Sequence, residues 1–453
     1  MPRINWKETQ LGDLISIKHG FAFPGKNITD LETDNILVTP GHFNIGGGFK
    51  NVHKKFFNGD IDEEYILEEG DLIITMTDLS KEGETLGYSA IVPKLKNKKL
   101  LHNQRIGKVK INNPDIKKSF LNYLLRDKHY RHWILSTSTG STVRHTSPSR
   151  IEEFKFFLPP IEEQSNIAEV LLSLDSKIDL NQKMNETLEE IAKTLFKSWF
   201  IDFDPVRAKA EGRPTGLSKE ISDLFPDSFE DSELGDIPSG WKVRSLGDFY
   251  AVNKGLSYKG KFLTEHGMPM INLGCFGGNG IFLKKKIKPY SGEFKERHII
   301  SKGDIAIANT DMTQNRITLG SPIIVDEIDG NCDFIFTHHV FCLKNISERE
   351  DLKYFTYQTL LNPRFRGIAG NYATGTTVLA LPKDAIENLQ VALPSKQILN
   401  AFNEIAGLNF KKSKINYEES IVLGDLRDKL LPKLISGELK ISDAENLIDE
   451  AGI

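Results

Sequence analysis

Trp6-Lys7, Leu11-Gly12-Asp13 and Gly20 return at one constant separation as Trp241-Lys242, Leu246-Gly247-Asp248 and Gly255. The echo then continues for well over a hundred residues. Pro24-Gly25-Lys26-Asn27-Ile28-Thr29 meets Lys259-Gly260-Lys261-Phe262-Leu263-Thr264, and Gly70-Asp71-Leu72 meets Gly303-Asp304-Ile305. Thr139-Gly140-Ser141-Thr142-Val143 meets Thr374-Gly375-Thr376-Thr377-Val378, and Leu158-Pro159 meets Leu393-Pro394. The separation drifts by only a residue or two, as short insertions in surface loops would cause. So long a period is not a solenoid unit. Two copies of one whole domain are expected, and a pseudo-two-fold repeat suits a ligand with two similar halves.

Each copy divides into two kinds of sequence. Residues 1–159 and 237–394 hold short apolar stretches broken by glycine, asparagine and aspartate. Asp71 to Thr75 and Asp304 to Ala308 read as buried strands after a Gly-Asp turn. Ser147 before Pro148 reads as a capped helix start. From Pro160 onward the pattern changes. Ile167, Leu171, Leu174, Ile178, Met184, Leu188, Ile191 and Leu195 recur at threes and fours. That stripe predicts one helix of about 35–40 residues, roughly 55–60 Å long. Asn181 and Asn185 interrupt it, and polar residues in a seam can fix register.

After Pro394, residues Ile398, Phe402, Ile405, Ile415, Val422, Leu426 and Leu430 predict a second long helix. The expected class is therefore α/β (α+β): two repeated domains with small irregular sheets, plus two long antiparallel, coiled-coil-like helices. The boundaries read as domain 1–159, helix 160–203, acidic Pro/Gly linker 204–236, domain 237–394, helix 395–436 and acidic tail 437–453.

The 453 residues carry a net charge of −4, which argues against a polycation that simply coats nucleic acid. Basic runs nevertheless occur in both copies, at Lys94, Lys96, Lys98, Lys99 and at Lys284, Lys285, Lys286, Lys288. The opening residues lack the apolar core of a signal peptide, and no stretch is long and apolar enough to span a bilayer. All three cysteines lie in the second copy, so no disulfide framework is repeated, and a reducing cytoplasm is the expected compartment.

Leu158-Pro159-Pro160-Ile161-Glu162-Glu163-Gln164 leads through Leu174-Asp175 into Leu195-Phe196-Lys197-Ser198-Trp199-Phe200-Ile201-Asp202-Phe203-Asp204-Pro205-Val206. This region resembles the central part of specificity (S) subunits of type I restriction-modification systems. Arg427-Asp428, Leu430-Leu431-Pro432-Lys433-Leu434 and Ser436-Gly437-Glu438 resemble their distal part. The second helix starts differently, with Leu393-Pro394-Ser395-Lys396 in place of the Pro160 to Gln164 run.

The resemblance covers the whole chain and implies a non-catalytic protein whose two target-recognition domains each read half of a split DNA target. It implies helices that set the spacing and dock two modification subunits. Those partners would carry S-adenosylmethionine and methylate adenine, with restriction subunits joining them. No cofactor or metal is expected on this chain, and no membrane partner. Half-sites read from one face of a duplex lie about 34–36 Å apart or a multiple of it, which makes a stiff helical spacer a sensible ruler.

Rival chemistries find little support. Gly20 to Lys26 and Gly255 to Lys261 have a phosphate-loop spacing, but Asn27 and Phe262 stand where the magnesium-binding hydroxyl belongs. A structural turn is the expected reading. No amino-methyltransferase motif appears, and Cys332, His338, His339 and Cys342 match no common zinc spacing. The alternatives are a stand-alone methyltransferase or nuclease, and a coiled-coil scaffold that binds no DNA.

Base-reading candidates are polar residues on repeat-equivalent segments that differ between copies. Phe43-Asn44 faces Phe276 and Asn279, and Asn103-Gln104-Arg105 faces His338-His339. Ser141-Thr142 with Arg144-His145 faces Thr376-Thr377. Thr77-Asp78 faces Thr310-Asp311 with Gln314-Asn315-Arg316 beyond, although identity in both copies points to scaffold there. Phe196, Trp199 and Phe200 are read either as a helix-end core or as a docking patch for the modification subunit.

Overall fold

A computed structural model describes residues 6–50, 55–277, 280–311, 318–328, 330–372 and 379–450; of residues 369–372 only the backbone is described. The chain forms two compact units. One comprises residues 1–182 with 417–453, the other residues 183–416.

In the first unit, Ile15–His19, Ile106–Ile111, Leu72–Thr75 and Ser89–Ile91 form an antiparallel sheet in that order. Beside it, Asn35–Val38 runs parallel to Lys99–His102 in a five-stranded sheet. The second unit repeats the plan. Tyr250–Lys254, Val340–Asn345, Ile305–Ala308 and Pro322–Ile324 form one sheet, and Leu263–Ile271 lies parallel to Asp333–Phe336 in the other. The Gly-Asp turns are built alike: Gly70 and Gly303 have φ +83° and +95°, the left-handed region glycine tolerates. Asp71 and Asp304 then accept hydrogen bonds from the Glu68 and Ser301 amides. At Ser147 the hydroxyl caps the Arg150 amide with Pro148 in the first turn.

The long helices are Ile161–Phe200 and Lys396–Ile435. In the first unit, Arg427 meets Asp175 and Glu419 meets Asn181 and Lys177. In the second, Asn185 bonds the Ser413 carbonyl and Asn416, while Asn409 reaches Leu188. Within each unit, residue numbers fall on one helix as they rise on the other, so the pairing is antiparallel. Asn181, which is buried, and Asn185, which is half-buried, each find a polar partner in the seam.

Both long helices also contribute to the cores of the units they belong to. Ile167, Leu171, Leu174, Leu423 and Leu430 share the first unit's core with Leu11, Phe120 and Ile151. Phe196, Phe200, Ile398 and Phe402 share the second unit's core with Trp241 and Phe355.

The segments expected as an acidic linker and an acidic tail both contain regular structure. The stretch 204–236 sustains no apolar period, which is why its sequence reads as a linker. It holds a helix at Asp204–Ala210, a turn of helix at Lys219–Ser222 and a strand at Phe229–Glu230. Its few apolar residues do the anchoring: Val206, Ala208 and Phe225 are buried, and Phe225 meets Trp199 edge-on at 5.1 Å. The acidic tail carries a helix, Ile441–Glu450, with Ala444 buried in the first unit's core. Segments this short are set by tertiary burial, and composition alone does not reveal it.

Candidate nucleic-acid interface

One end of each domain gathers the loops that follow its strands. In the first unit, Phe21 forms a parallel bridge with Asn103, and the Gln104 amide donates to the Phe21 carbonyl at 2.8 Å. Gly20 makes this crossing possible, because a Cβ there would sit 2.2 Å from the Asn103 carbonyl oxygen. Asn103 Oδ1 accepts from the Arg105 amide at 3.0 Å, and this tight turn leaves Gln104 and Arg105 exposed. Arg105 in turn offers its carbonyl to the Met76 amide, joining the turn to Thr77–Asp78. Arg144–His145 pairs with that short strand, and Thr77 Oγ lies 3.2 Å from His145 Nδ1. The Asn103 turn, the 77–82 loop and the 139–145 loop thus form one surface. Ser141, Thr142 and His145 are exposed on it.

The second unit makes the same crossing with different side chains. Leu256 bridges Thr337, the His338 amide donates to the Leu256 carbonyl, and a Cβ on Gly255 would come within 2.3 Å of the Phe336 and Thr337 carbonyl oxygens. Asn103, Gln104 and Arg105 therefore correspond to Thr337, His338 and His339. The His338 and His339 rings lie 3.8 Å apart, and Thr310 Oγ meets His339 Nδ1 at 2.9 Å. Burial, the His338 neighbour and Lys254 lower the His339 pKa, favouring the neutral ring. Such a ring presents one donor and one acceptor nitrogen, where the Arg105 guanidinium only donates.

Other candidates are buried or already engaged. Phe43 and Phe276 are core residues, bridging Phe49 and Phe282 at the bases of equivalent loops. Among the described candidates of these loops, Asn44, beyond Phe43, is exposed. Asp78 and Asp311 organise loops. Asp78 accepts from Ser80 and Thr85, and Asp311 from Thr318 and Leu319. Burial raises the Asp78 pKa, but those hydrogen bonds outweigh it and hold the carboxyl below its usual range. Thr77 and Thr310 sit buried in the same paired strands, so the shared residues are scaffold. Arg144 is spent on the Lys81 carbonyl and Ser138.

Asn279, Gln314, Asn315, Arg316, Thr376 and Thr377 lie outside the described residues. The docking-patch reading of Phe196, Trp199 and Phe200 is corrected: all three are buried, with Trp199 only 1% exposed, among Phe225, Phe355 and Phe402. An aromatic cluster on a helix interrupted by no obvious partner reads the same from sequence whether the covering surface is intramolecular or foreign.

Two residues on this face escaped sequence reading. Phe21 is 43% exposed, 5.1 Å from Tyr65, with Lys18 over the Tyr65 ring. Leu79 is 65% exposed. The signal for Phe21 was its repeat partner Leu256, a difference inside a segment dismissed as a turn. That segment is indeed followed by a strand and not a helix: the short turns Gly25–Asn27 and Gly260–Phe262 lead into Ile28–Thr29 and Leu263–Ile271.

His102 supports the Asn103 turn from below. It is fully buried, its Nε2 sits 2.9 Å from the Ile106 carbonyl, and burial, with Lys18 and Lys108 nearby, lowers its pKa to about 4. An unfolded histidine titrates near 6.5, so between those values the unfolded chain holds the extra proton. The first unit should therefore be fully stable above about pH 6.5 and lose up to about 3 kcal/mol as pH falls to 4. Denaturant titrations across that range should show the slope, and His102→Gln should flatten it. An equal slope in the variant would assign the effect elsewhere.

The family description "Type I restriction modification DNA specificity domain" matches residues 3–190 and 238–416, most of the chain and both repeats. The chain belongs to that family. Among curated relatives it is similar to the Type I restriction enzyme MjaIX specificity subunit of Methanocaldococcus jannaschii, 28% identical over 72% of this chain and 69% of that protein. It is also similar to the HindI specificity subunit of Haemophilus influenzae, 24% identical over 68% and 73%. Among solved structures, the type I S subunit from M. genitalium shares the fold with a TM-score of 0.53 at 16% identity, covering 95% of this chain and 96% of that one. Among the described residues of this family member, no helix is long and apolar enough to cross a membrane.

Proposed function

We propose that this chain is the DNA sequence-specificity subunit of a type I restriction-modification complex, reading a two-part asymmetric target with one half-site per domain. One observation carries the reading. The same backbone crossing presents Asn103-Gln104-Arg105 in one copy and Thr337-His338-His339 in the other. Like scaffolds with unlike hydrogen-bonding side chains are what two unlike half-sites require, since arginine suits guanine and asparagine or glutamine suits adenine.

The catalysis then belongs to partners. Two modification subunits holding S-adenosylmethionine would methylate adenine, and restriction subunits would translocate and cut. All of this would take place in the cytoplasm. The paired long helices set the gap between half-sites.

The test replaces Asn103-Gln104-Arg105 by Thr-His-His in the full complex and maps methylated sites in cells. The half-motif read by the first domain should change while the other half and the gap stay constant. A wild-type complex without a two-part motif would favour a scaffold that reads no DNA. Methylation by the chain alone would favour a stand-alone enzyme.

A further inference from the structure

The tip of the Phe43–Phe49 loop is glycine-rich, with Gly46, Gly47 and Gly48 all at positive φ and Ile45 68% exposed. So free a segment has a high entropic cost of ordering unless something holds it. Arg126 holds it. Its Nε donates to the Gly46 carbonyl at 2.7 Å, and its stem lies against Gly47, where a Cβ would come within 2.6 Å of Arg126 Cγ. The other end of the same guanidinium donates from Nη1 to Asp175 Oδ2, also at 2.7 Å.

Asp175 is on the first long helix and accepts two more bonds: Tyr123 Oη at 2.9 Å and, from the second long helix, Arg427 Nη1 at 2.7 Å. Asp428 sits against the remaining donors of Arg427. One carboxylate thus joins the loop tip to both long helices.

The second copy keeps the tie and changes its chemistry. At the unchanged repeat separation, Arg126 becomes Leu361 and Asp175 becomes Phe410. The loop between Phe276 and Phe282 is held instead by Tyr357, whose Oη donates to the Gly280 carbonyl at 3.1 Å. Gly280, like Gly47, stands four residues into its loop, and a Cβ there would come within 2.0 Å of Tyr357 Oη. The Tyr357 ring packs on Phe410 of the second long helix, 5.8 Å between centroids.

We infer that Arg126 with Asp175, and Tyr357 with Phe410, are positioning residues for target reading, each fixing its domain's loop tip to the long helices so that it meets its half-site in one register. This rests on the proposed DNA-reading function. The tie between loop tip and long helix is ionic in the first domain and neutral in the second, so each can be loosened alone.

Arg126→Lys keeps a cation for Asp175, but its donors sit on a single nitrogen that cannot span both Asp175 and the Gly46 carbonyl, which the arginine reaches from Nη1 and Nε. Tyr357→Phe removes one hydroxyl and little else. Each variant, assembled with its modification subunits, is used to select bound duplexes from a random pool, alongside thermal unfolding. Arg126→Lys should cut base preference at least fivefold at one or more positions of the first domain's half-motif and leave the second half intact. Tyr357→Phe should do the reverse. If Arg126→Lys fails to fold, Tyr357→Phe carries the test through the other half. Unchanged half-motifs with a lowered melting temperature, or both halves relaxing together, would overturn the inference and leave a purely structural tie. If the wild type itself selects no two-part motif, the DNA-reading function falls first, and the inference with it.

Discussion

Replacing Trp199 by alanine should cost the second unit about 3–5 kcal/mol, the range for emptying a large aromatic site in a packed core. The ring sits where three parts of that unit meet. Phe225 comes from the 204–236 segment, Phe402 from the second long helix and Phe200 from the adjacent, last position of its own helix. Phe200 and Phe402 keep other aromatic neighbours, so the loss falls mainly on the contact with Phe225. Denaturant unfolding monitored by tryptophan fluorescence should show the transition of residues 183–416 shifted to lower denaturant. A loss below about 1 kcal/mol would mean that the site collapses or is solvated, and that Trp199 does not anchor this core.

Asp175→Ala should be comparably severe in the first unit, by a different route. Its carboxylate faces Arg126, whose side chain is only 5% exposed, and Arg427. Removing it leaves a buried guanidinium without its counter-charge, a change worth about 3–5 kcal/mol when one partner of a buried pair is deleted. The pH dependence has a sign. Burial raises the Asp175 pKa, but the two arginines outweigh it and depress it below the usual 3.8. This contribution is complete above about pH 4 and is lost as pH falls further through the folded value, a window below that of His102. Asp175→Asn should lie between wild type and alanine, because its amide can still accept one bond from Arg126. An alanine variant as stable as wild type would show that the arginines find solvent, and the cluster would then have no structural weight.

Much of the architecture was legible because duplication is a strong signal: matched Gly-Asp turns and matched loops need no alignment beyond the chain itself. The long helices were equally clear, since forty residues of apolar recurrence have few other readings. The equivalence of Asn103-Gln104-Arg105 with His338-His339 followed from the repeat, and so did the scaffold reading of Thr77-Asp78. What escaped was set by tertiary context. Phe43 and Phe276 look like loop residues beside glycine, yet their rings fill cores. Val206 and Phe225 are isolated apolar letters in a polar segment, and nothing local marks them as buried. The contacts of Asp175 reach Arg126 and Arg427 across long stretches of chain, and a lone charge beside an apolar stripe ordinarily faces water.

The division of each long helix between the two compact units constrains how the protein is made. Leu423, Leu430, Leu434 and Ala444 belong to the same core as Leu11 and Phe120. Synthesis delivers them only after residues 183–416 have emerged, roughly ten to fifty seconds later at cellular elongation rates. The half that leaves the ribosome first is therefore the last to close, and it must wait with an open apolar seam while its sibling, contiguous in sequence, folds ahead of it.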